Sequence, residues 1–348
     1  MRALLDRVLD GASLDATEAE ALMDTLATTD VEPAIVAALL GSLRTRGETA
    51  DEVAGFARSL RRHALRPSIP GSDAAADTCG TGGDGASSLN LSTAAGLLAA
   101  ACGVPIVKHG NRSVSSRAGS ADVLEALGFA LPTSDAAAAA CFAATGFTFL
   151  FAPRHHPALA RVMPVRRALG VRTVFNLLGP LVSPVCPRFQ VTGAYSLAAA
   201  RVMAGALAQL GVERALVVHG AEGWDEATPL GPFVAIEVRD GGCVERVRDP
   251  LDLGIARCAA APLRGGDAMN NARRLRAVLE GTELGPHRDA VVLGAALVLE
   301  VTGKAADARE GVALAREVLD RGEGEHLLWR LIEASQREAS RGNGDARA

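Results

Sequence analysis

The sequence predicts an α/β protein: a small N-terminal helical domain, then a larger α/β domain with a central mixed sheet flanked by helices. Helix-capping signals mark the first part, and a Pro/Gly/Ser linker (PSIPGS, 67–72) follows it. Beyond the linker, short apolar runs alternate with Ala-rich segments, which is typical of α/β folds. With 348 residues, of which 49% are hydrophobic, the chain is long enough to bury a core in each part.

The N-terminal helices are indicated by residue spacing. Capping-box pairs occur at Asp15 with Glu18 and at Thr49 with Glu52. After the second pair, one helix face carries the apolar residues Val53, Phe56 and Leu60. We therefore expect a helical domain over 1–70.

The α/β domain is expected over 71–335. Five apolar runs predict strands at 104–108, 147–151, 190–195, 215–219 and 233–238. The segment 73–79 is too polar to be predicted as a core strand. The polar, Gly-containing end of the chain, 336–348, is expected to be a flexible tail.

Charge and cysteine content exclude several classes of protein. The net charge of −4 gives no overall attraction to nucleic acid or to an anionic membrane. The six cysteines form no CxxC pair, which favours a reduced, cytoplasmic chain. The N-terminus lacks a signal-peptide pattern, and no apolar run reaches the roughly 18 residues of a membrane span.

The sharpest local motif is the glycine-rich run GTGGDG (80–85), with NLST (90–93) opening an apolar helix. Glycines let successive backbone N–H groups converge on a phosphate, and a helix start adds the positive end of a dipole. The run also spells GxGxxG, a dinucleotide fingerprint. However, a basic segment stands where that fingerprint needs an acidic residue about 20 positions on. A plain turn without a ligand is the other alternative.

A basic loop follows the strand predicted at 104–108. Its sequence KHGNRSVSS (108–116) combines two fixed cations, several hydroxyls and an amide, which suits a polyanion. A solvated surface loop is the competing interpretation. The ligand interpretation is favoured because α/β sheets bind ligands at the carboxyl ends of their strands.

An adjacent carboxylate pair, Asp225 and Glu226, follows the strand predicted at 215–219. Neighbouring carboxylates repel each other and are stabilised by a hard cation such as Mg²⁺, which takes one or two carboxylates plus phosphate oxygens. A surface Asp-Glu pair usually has no such role. Together with the two loops, however, the pair predicts a site for magnesium-bound pyrophosphate.

At these residues the chain closely resembles the anthranilate phosphoribosyltransferases of tryptophan biosynthesis. The matching strings are GTGGD with NLST, KHGNRSVSS with GSADVLEALG, VRRALGVRTVFNLLGPL, and HGAEGWDE. The resemblance extends from LLGSLRTRGETADEVAG to GGDAMNNA and EGVALAREVL, so that it covers nearly the whole chain.

The resemblance implies transfer of the 5-phosphoribosyl group of phosphoribosyl pyrophosphate (PRPP) to the amine of anthranilate. It implies PRPP contacts at Gly80, Thr81, Gly83, Asp84, Ser88, Asn90, Ser92, Thr93, Lys108, Asn111, Ser115, Ser116 and Ser120. It implies anthranilate contacts at Gly80, His109, Asn111, Arg166 and Gly179. Two Mg²⁺ ions are expected, at least one of them bound with PRPP, with Ser92, Asp225 and Glu226 as protein ligands.

The resemblance also implies a homodimer formed through the helical domain, which a helical segment near 155–180 completes. Four positions depart from the family pattern: Ser183, His155, Trp224 and Gly294. They bear on substrate preference and loop motion more than on the class of reaction. We leave His155, His156 and His219 as structural.

No acid or base is assigned, because an aromatic amine is a neutral nucleophile at pH 7. Lys108 and His109 are expected to act by electrostatics and positioning. Two rival functions differ in what they need. A nucleoside phosphorylase would release no pyrophosphate, and a nucleic-acid binder would need a continuous basic groove.

Overall fold

The computed structural model describes residues 2–86, 88–113 and 117–345. Its N-terminal part contains four helices: α1 (Arg2–Leu9), α2 (Ala16–Thr28), α3 (Pro33–Arg46) and α4 (Ala50–Arg62). Both predicted capping boxes are confirmed. The Asp15 side chain accepts from the Glu18 backbone at the start of α2, and the Thr49 hydroxyl accepts from the Glu52 backbone at the start of α4.

A mixed sheet of seven strands forms the centre of the larger part. The strands are β1 (Ala76–Gly80), β2 (Ile106–Gly110), β3 (Phe147–Phe151), β4 (Phe189–Gly193), β5 (Arg214–His219), β6 (Phe233–Arg239) and β7 (Gly242–Arg248). Their order across the sheet is β3-β2-β1-β4-β5-β6-β7. The first five pair in parallel, whereas β6 and β7 pair antiparallel. The predicted fold class is therefore confirmed.

Two strands were not expected from the sequence. The prediction that 73–79 is no core strand was wrong, because β1 lies at the middle of the sheet. Its polar side chains have partners there: Asp77 contacts His109, and the Thr78 hydroxyl donates to the Ser92 carbonyl at 2.5 Å. β7 went unpredicted because it is an exposed edge strand without a buried apolar face.

Eleven further helices complete the described part of the chain. They are α5 (Leu91–Ala101), α6 (Ser120–Ala126), α7 (Asp135–Thr145), α8 (Ala152–His155), α9 (Met163–Leu169), α10 (Val174–Leu181), α11 (Leu197–Gln209), α12 (Ala268–Leu279), α13 (Pro286–Val301), α14 (Ala308–Asp320) and α15 (Glu323–Asp345). Short 3₁₀ turns lie at Ser72–Ala74, Pro157–Arg161, Ala221–Gly223, Pro250–Leu253 and Ala261–Leu263.

At β5 the two faces of the sheet belong to two different hydrophobic cores, and a third, smaller core includes Val107 of β2 and Leu150 of β3. In β5, Leu216 and Val218 join the core that holds α5 and α13, whereas Ala215 and Val217 join the core that holds α11 and α1–α4. This alternation follows from the two-residue period of a strand. Within the described residues, no helix is long and apolar enough to cross a membrane.

The C-terminal helix differs from the expected tail. α15 continues to Asp345, so residues 336–345 are helical in the segment that the sequence predicts to be a flexible tail. Two side-chain contacts support the helix there. Gln336 donates to the Gly128 carbonyl at 3.0 Å, and Arg337 pairs with Glu333 one turn earlier. Residues 346–348 lie outside the described part.

The strand order creates a crevice at the middle of the sheet. From β1 the chain continues through α5 to β2 on one side, and from β4 it continues through α11 to β5 on the other. Open α/β sheets bind ligands outside the carboxyl ends of strands where the order reverses in this way. That position lies just beyond Gly80 and Gly193.

Candidate active site

A cavity of about 400 Å³ opens at this crevice, between the sheet and the helices α4, α9 and α10. Every predicted site residue in the described ranges lines it: Gly80, Thr81, Gly83, Asp84, Ser88, Asn90, Ser92, Thr93, Lys108, His109, Asn111, Ser120, Arg166, Gly179, Asp225 and Glu226. Ser115 and Ser116 lie outside the described residues. The structure thus gathers the three sequence motifs into one cleft.

The carboxylate pair is held by backbone N–H groups of the glycine-rich run and of the start of α5. Asp225 Oδ2 accepts from the Gly82 N–H at 2.6 Å, and Glu226 Oε1 accepts from the Ser92 N–H at 3.1 Å. A third carboxylate is close, because Asp84 accepts from the backbone N–H of Asp225 at 3.3 Å. The loop after β5 therefore packs directly onto the loop after β1.

Glycines permit this close approach. A Cβ on Gly80 would lie 2.5 Å from the Asp225 carboxylate, and a Cβ on Gly193 would collide with the Asp225 carbonyl oxygen. Any side chain at the ends of β1 and β4 would push the carboxylate loop away. The two glycines thus set the depth of the site.

Among the described residues, the three carboxylates outnumber the one buried cation beside them, Lys108. Burial raises the pKa of Asp225, and Glu226 and Asp84 raise it further. Burial also raises the pKa of Glu226 to about 7. Glu226 Oε2 is buried and has no hydrogen-bond partner among the described residues. Buried carboxylates that repel one another suit a divalent cation. The cation offsets the repulsion between the carboxylates and coordinates the oxygen that has no hydrogen-bond partner.

No group of three or more His, Cys, Asp and Glu side chains in the described residues could by itself hold a metal ion. Mg²⁺ typically takes one or two carboxylates and completes its shell with water and substrate phosphate oxygens. Asp225, Glu226 and the neighbouring Ser92 fit that pattern.

Lys108 places a buried cation beside this cluster. Its side chain is 1% exposed, and its amine donates to the Thr78 carbonyl and, at 3.3 Å, to the Ser92 hydroxyl. Lys108 lies in β2, and the contact with Ser92 places its amine beneath the start of α5. Its charge partly offsets the increase in the pKa of Glu226.

His109 is held on both sides. Its Nε2 contacts the Gly179 carbonyl at 2.7 Å, and its Nδ1 contacts the buried Asp77 carboxylate. A carbonyl oxygen can only accept, so Nε2 carries a proton, and Nδ1 is occupied by Asp77. Neither ring nitrogen is left for proton transfer, which favours the positioning role.

Arg166 extends from α9 into the opposite wall. Its guanidinium stacks on the Phe175 ring at 5.0 Å from the centroid and donates to the Met163 sulfur at 3.5 Å. No carboxylate in the described part of the chain pairs with it, and burial lowers its pKa. A half-buried guanidinium of this kind is suited to a ligand carboxylate.

The cleft also contains residues that sequence reasoning left aside. His156 lines the cavity, and burial lowers its pKa to about 4. Asn271 lines it too, although its segment gave only the GGDAMNNA match. His155 and His219 bond to backbone carbonyls, Leu65 and Ala194, as structural residues do. Local sequence carried no signal for His156.

The departures from the family pattern have individual explanations. Trp224 is buried in the core with α5 and α13, so it covers the carboxylate loop from behind rather than lining the cleft. Gly294 lies in α13 where a Cβ would be 2.9 Å from that of Ala95, so the two helices pack closely there. Nothing in the structure explains Ser183.

Known proteins match this chain along nearly its whole length. Residues 72–325 match the glycosyl transferase family a/b domain, and residues 2–64 match the helical bundle domain of the same family. An anthranilate phosphoribosyltransferase from Rubrobacter xylanophilus is 48% identical, with 98% of this chain and 99% of that protein aligned. The chain belongs to the anthranilate phosphoribosyltransferase family.

Solved structures of family members agree with the fold. The anthranilate phosphoribosyltransferase of Thermus thermophilus matches with a TM-score of 0.89 and 44% identity, over 96% of this chain and 99% of that one. The Saccharomyces cerevisiae enzyme in complex with PRPP and Mg matches with a TM-score of 0.86 and 25% identity, over 96% and 97%. This family member is accordingly an enzyme of the glycosyltransferase class.

Proposed function

We propose that this enzyme transfers the 5-phosphoribosyl group of PRPP to the amine of anthranilate in tryptophan biosynthesis, giving N-(5-phosphoribosyl)anthranilate and pyrophosphate. One observation carries the proposal. A single cleft combines a glycine-rich loop, a buried lysine and unneutralised carboxylates at one end with the guanidinium of Arg166 at the other. The first end suits magnesium-bound pyrophosphate and the second suits an aromatic acid.

On the donor side, we propose that the pyrophosphate lies against the Gly80–Gly83 backbone and Lys108. The predicted PRPP contacts all line the same cavity, apart from Ser115 and Ser116, which the structure does not describe. The start of α5 points its dipole toward this end, which favours a polyanion. Ser92, Asp225 and Glu226 would hold Mg²⁺, and the expectation of two ions is part of the proposal.

During transfer, the bond from ribose C1 to pyrophosphate breaks with its electrons on the leaving group. The anthranilate nitrogen bonds to C1 and then loses a proton to water or to the released pyrophosphate. Bound Mg²⁺ supplies charge neutralisation for the departing pyrophosphate. Lys108 holds a fixed positive charge beside Ser92, where the leaving group would lie. His109 orients the acceptor side and moves no proton, since both its nitrogens are engaged.

On the acceptor side, we propose that Gly80, His109, Asn111, Arg166 and Gly179 form the anthranilate path. Arg166 would bind the carboxylate, remote from the nitrogen that attacks. The bond from His109 to the Gly179 carbonyl ties the end of β2 to α10, so it fixes the width of this path.

We make three further proposals. The chain forms a helical domain over 1–70, completed by 155–180, and an α/β domain over 71–335. It forms a homodimer through the helical domain, and its location is cytoplasmic. Core residues of α9 and α10 pack in the same cluster as α1–α4, which supports the domain assignment. Sedimentation velocity tests the dimer.

The reaction is tested by following anthranilate fluorescence and released pyrophosphate together. We expect equal loss of anthranilate and gain of pyrophosphate, only when PRPP and Mg²⁺ are both present. Activity that persists in EDTA would contradict the magnesium part. Turnover of a nucleoside with phosphate, without pyrophosphate, would replace the transferase with a phosphorylase.

A further inference from the structure

We propose that Asn271 is a positioning residue for the phosphoribosyl donor, acting through a relay of two side-chain amides that locks the glycine-rich loop. The relay joins Gly266, Asn271, Asn90 and Ala118, which come from three separate segments of the chain. The inference rests on the proposed function, since it takes PRPP to be the ligand of that loop.

The direction of each hydrogen bond follows from the backbone groups at the two ends. The Gly266 N–H can only donate, so it faces Asn271 Oδ1 at 2.6 Å. The Ala118 carbonyl can only accept, so it faces Asn90 Nδ2 at 3.1 Å. The remaining contact then runs from Asn271 Nδ2 to Asn90 Oδ1, at 2.9 Å. Each amide uses its donor and its acceptor once.

Burial makes the relay costly to break. Asn271 is 1% exposed, and a buried amide that loses one partner keeps its full desolvation penalty. A second contact reinforces the same junction: Ser88 pairs with Arg264 in an isolated antiparallel bridge, and a Cβ on Gly265 would lie 2.5 Å from the Ser88 carbonyl oxygen. The segment 264–271 therefore forms a backing for the end of the glycine-rich loop.

Asn90 is held in an unusual conformation by this arrangement. Its φ of 62° and ψ of 48° lie in the left-handed region, where non-glycine residues are uncommon. It occupies the N-cap of α5, but its side chain caps no helical N–H group and bonds within the relay instead. The start of α5, where the Ser92 N–H group donates to Glu226, thus faces the cleft between Ser88 and Ser92, where a phosphate would bind.

The relay also reaches the loop after β2. Ala118 follows the basic loop and lies two residues before Ser120, which begins α6. Breaking the relay would free the two loops that carry most of the proposed PRPP contacts. Of the proposed anthranilate path, these loops carry only Gly80 and Asn111, whereas His109 lies within β2 and Arg166 and Gly179 lie on α9 and α10. The loss should therefore fall on the donor and spare the acceptor.

The test is Asn271→Asp, which keeps the shape and the acceptor for Gly266 but replaces the donor with an oxygen facing Asn90. We expect the KM for PRPP to rise about 10-fold or more, with the KM for anthranilate within about twofold of wild type. Asn270→Asp is the matched control, because that side chain packs beside Gly266 but takes no hydrogen bond of the relay, accepting instead from Arg273 at 3.2 Å, and should leave both KM values unchanged.

A second variant, Asn271→Ser, removes the amide without adding charge and should shift the same KM. If both variants fold and the KM for PRPP is unchanged, or both KM values rise together, the positioning role is wrong. If neither variant folds, Asn271 is purely structural and the proposal also fails.

Calorimetry with Mg·PRPP alone separates this proposal from the proposed function. Tighter binding to wild type than to Asn271→Asp supports the relay, even if the wild type does not use anthranilate. A wild type that does not bind Mg·PRPP would overturn both.

Discussion

The side chains that define the cleft are held mainly by backbone groups, not by one another. Asp225 accepts from an N–H group of the glycine-rich run, Glu226 accepts from an N–H group at the start of α5, and Lys108 donates to a carbonyl of β1. Backbone partners cannot rotate away, so the charges stay in place before a ligand arrives. Because these groups are already in place, little free energy is needed to reorganise them during the reaction.

The carboxylate pair leads to a prediction with opposite signs for activity and stability. Asp225→Asn and Glu226→Gln each remove a charged ligand for a hard cation, so we expect kcat/KM to fall about 10-fold or more, equivalent to about 1.4 kcal/mol. Without Mg²⁺, thermal stability should be unchanged or higher, because the pKa of each carboxyl is raised by burial. Melting temperatures and activity at limiting Mg²⁺ check both parts.

Wild-type activity at limiting Mg²⁺ would remove these residues from the metal site. A large fall in melting temperature would instead identify them as structural. Asp84 offers a comparison, since it lies near Asp225 but is proposed as a PRPP contact rather than as a metal ligand.

Arg166 tests the identity of the acceptor. Truncation to Ala removes a charge-assisted contact with the anthranilate carboxylate, so binding should weaken by roughly 1.5 to 3 kcal/mol. The effect should appear in the KM for anthranilate, because the carboxylate is remote from the bond that forms. The KM for PRPP should barely change. Steady-state kinetics with each substrate varied in turn measure both.

The matched control is Arg167→Ala, whose exposed side chain follows Arg166 on α9 and lines no part of the cleft. It should leave both KM values unchanged. If Arg166→Ala lowers only the melting temperature, the stacking on Phe175 is its whole role.

At the residue scale, the motif residues could be predicted because their chemistry is written in short strings. Asp77 and Asn271 could not, because each acts through a partner distant in sequence, and His156 could not, because its property comes from burial in the folded chain. Asp77 meets His109 from the neighbouring strand, and Asn271 meets Asn90 from a helix 181 positions later. No local pattern records such a pairing.

Among the elements, the strands with apolar runs were predicted and the two with other patterns were missed. β1 is polar because Asp77 and Thr78 form hydrogen bonds to site residues. These polar residues interrupt the apolar pattern from which a buried strand is predicted. β7 is exposed throughout, so nothing in it alternates between core and solvent. The missed β1 is also the strand that places the glycine-rich loop at the sheet's crevice.

The ends of β1 and β4 give a prediction at this scale. In Gly193→Ala the new methyl group would collide with the Asp225 carbonyl oxygen, so the carboxylate loop must move outward. A displacement of about 1 Å in a catalytic group can cost on the order of 100-fold, and we expect a loss of that size in kcat/KM. Circular dichroism and steady-state kinetics measure fold and activity together.

Gly242→Ala is the control, because Gly242 begins β7 in the same sheet and a Cβ there meets only the Arg239 carbonyl oxygen, at 3.6 Å. That variant should keep wild-type activity. Normal kinetics in Gly193→Ala would mean that the loop after β5 adapts and that its depth is not critical.

For the whole molecule, the two-part organisation could be predicted from capping signals and the linker, but the shared core could not. α11 and one face of β5 pack in the same cluster as α1–α4, so the helical part is joined to the sheet by a continuous apolar core. Such joining depends on contacts between distant segments, which a single sequence does not display.

His156 is expected to make the free energy of unfolding depend on pH. It lies in the cleft with Leu60 of α4, and burial lowers its pKa from the ordinary 6.5 to about 4. Its Nε2 is buried without a partner among the described residues, so protonation would bury an unsatisfied cation. The unfolded chain takes up the proton first. This contribution to stability is therefore complete above pH 6.5 and is lost as the pH falls toward 4.

His156→Gln should remove this dependence. Between about pH 7.5 and 5, we expect the stability of wild type relative to the variant to fall by about 1 to 2 kcal/mol. Urea unfolding of both proteins across that range measures the difference. A constant difference would show that His156 titrates alike in the folded and unfolded chains.

Because Lys108 is buried, the rate at which its amine reacts with an acylating reagent can report on opening of the cleft. Lysine and arginine together number 36 in the chain, and only Lys108 and Lys304 are lysines. Lys304 is exposed and Lys108 is 1% exposed. An acylating reagent should therefore label the α-amine and Lys304 rapidly, and Lys108 only when its contacts with Thr78 and Ser92 open. The labelling rate of one peptide would then report, by mass spectrometry, how often the donor end of the cleft opens.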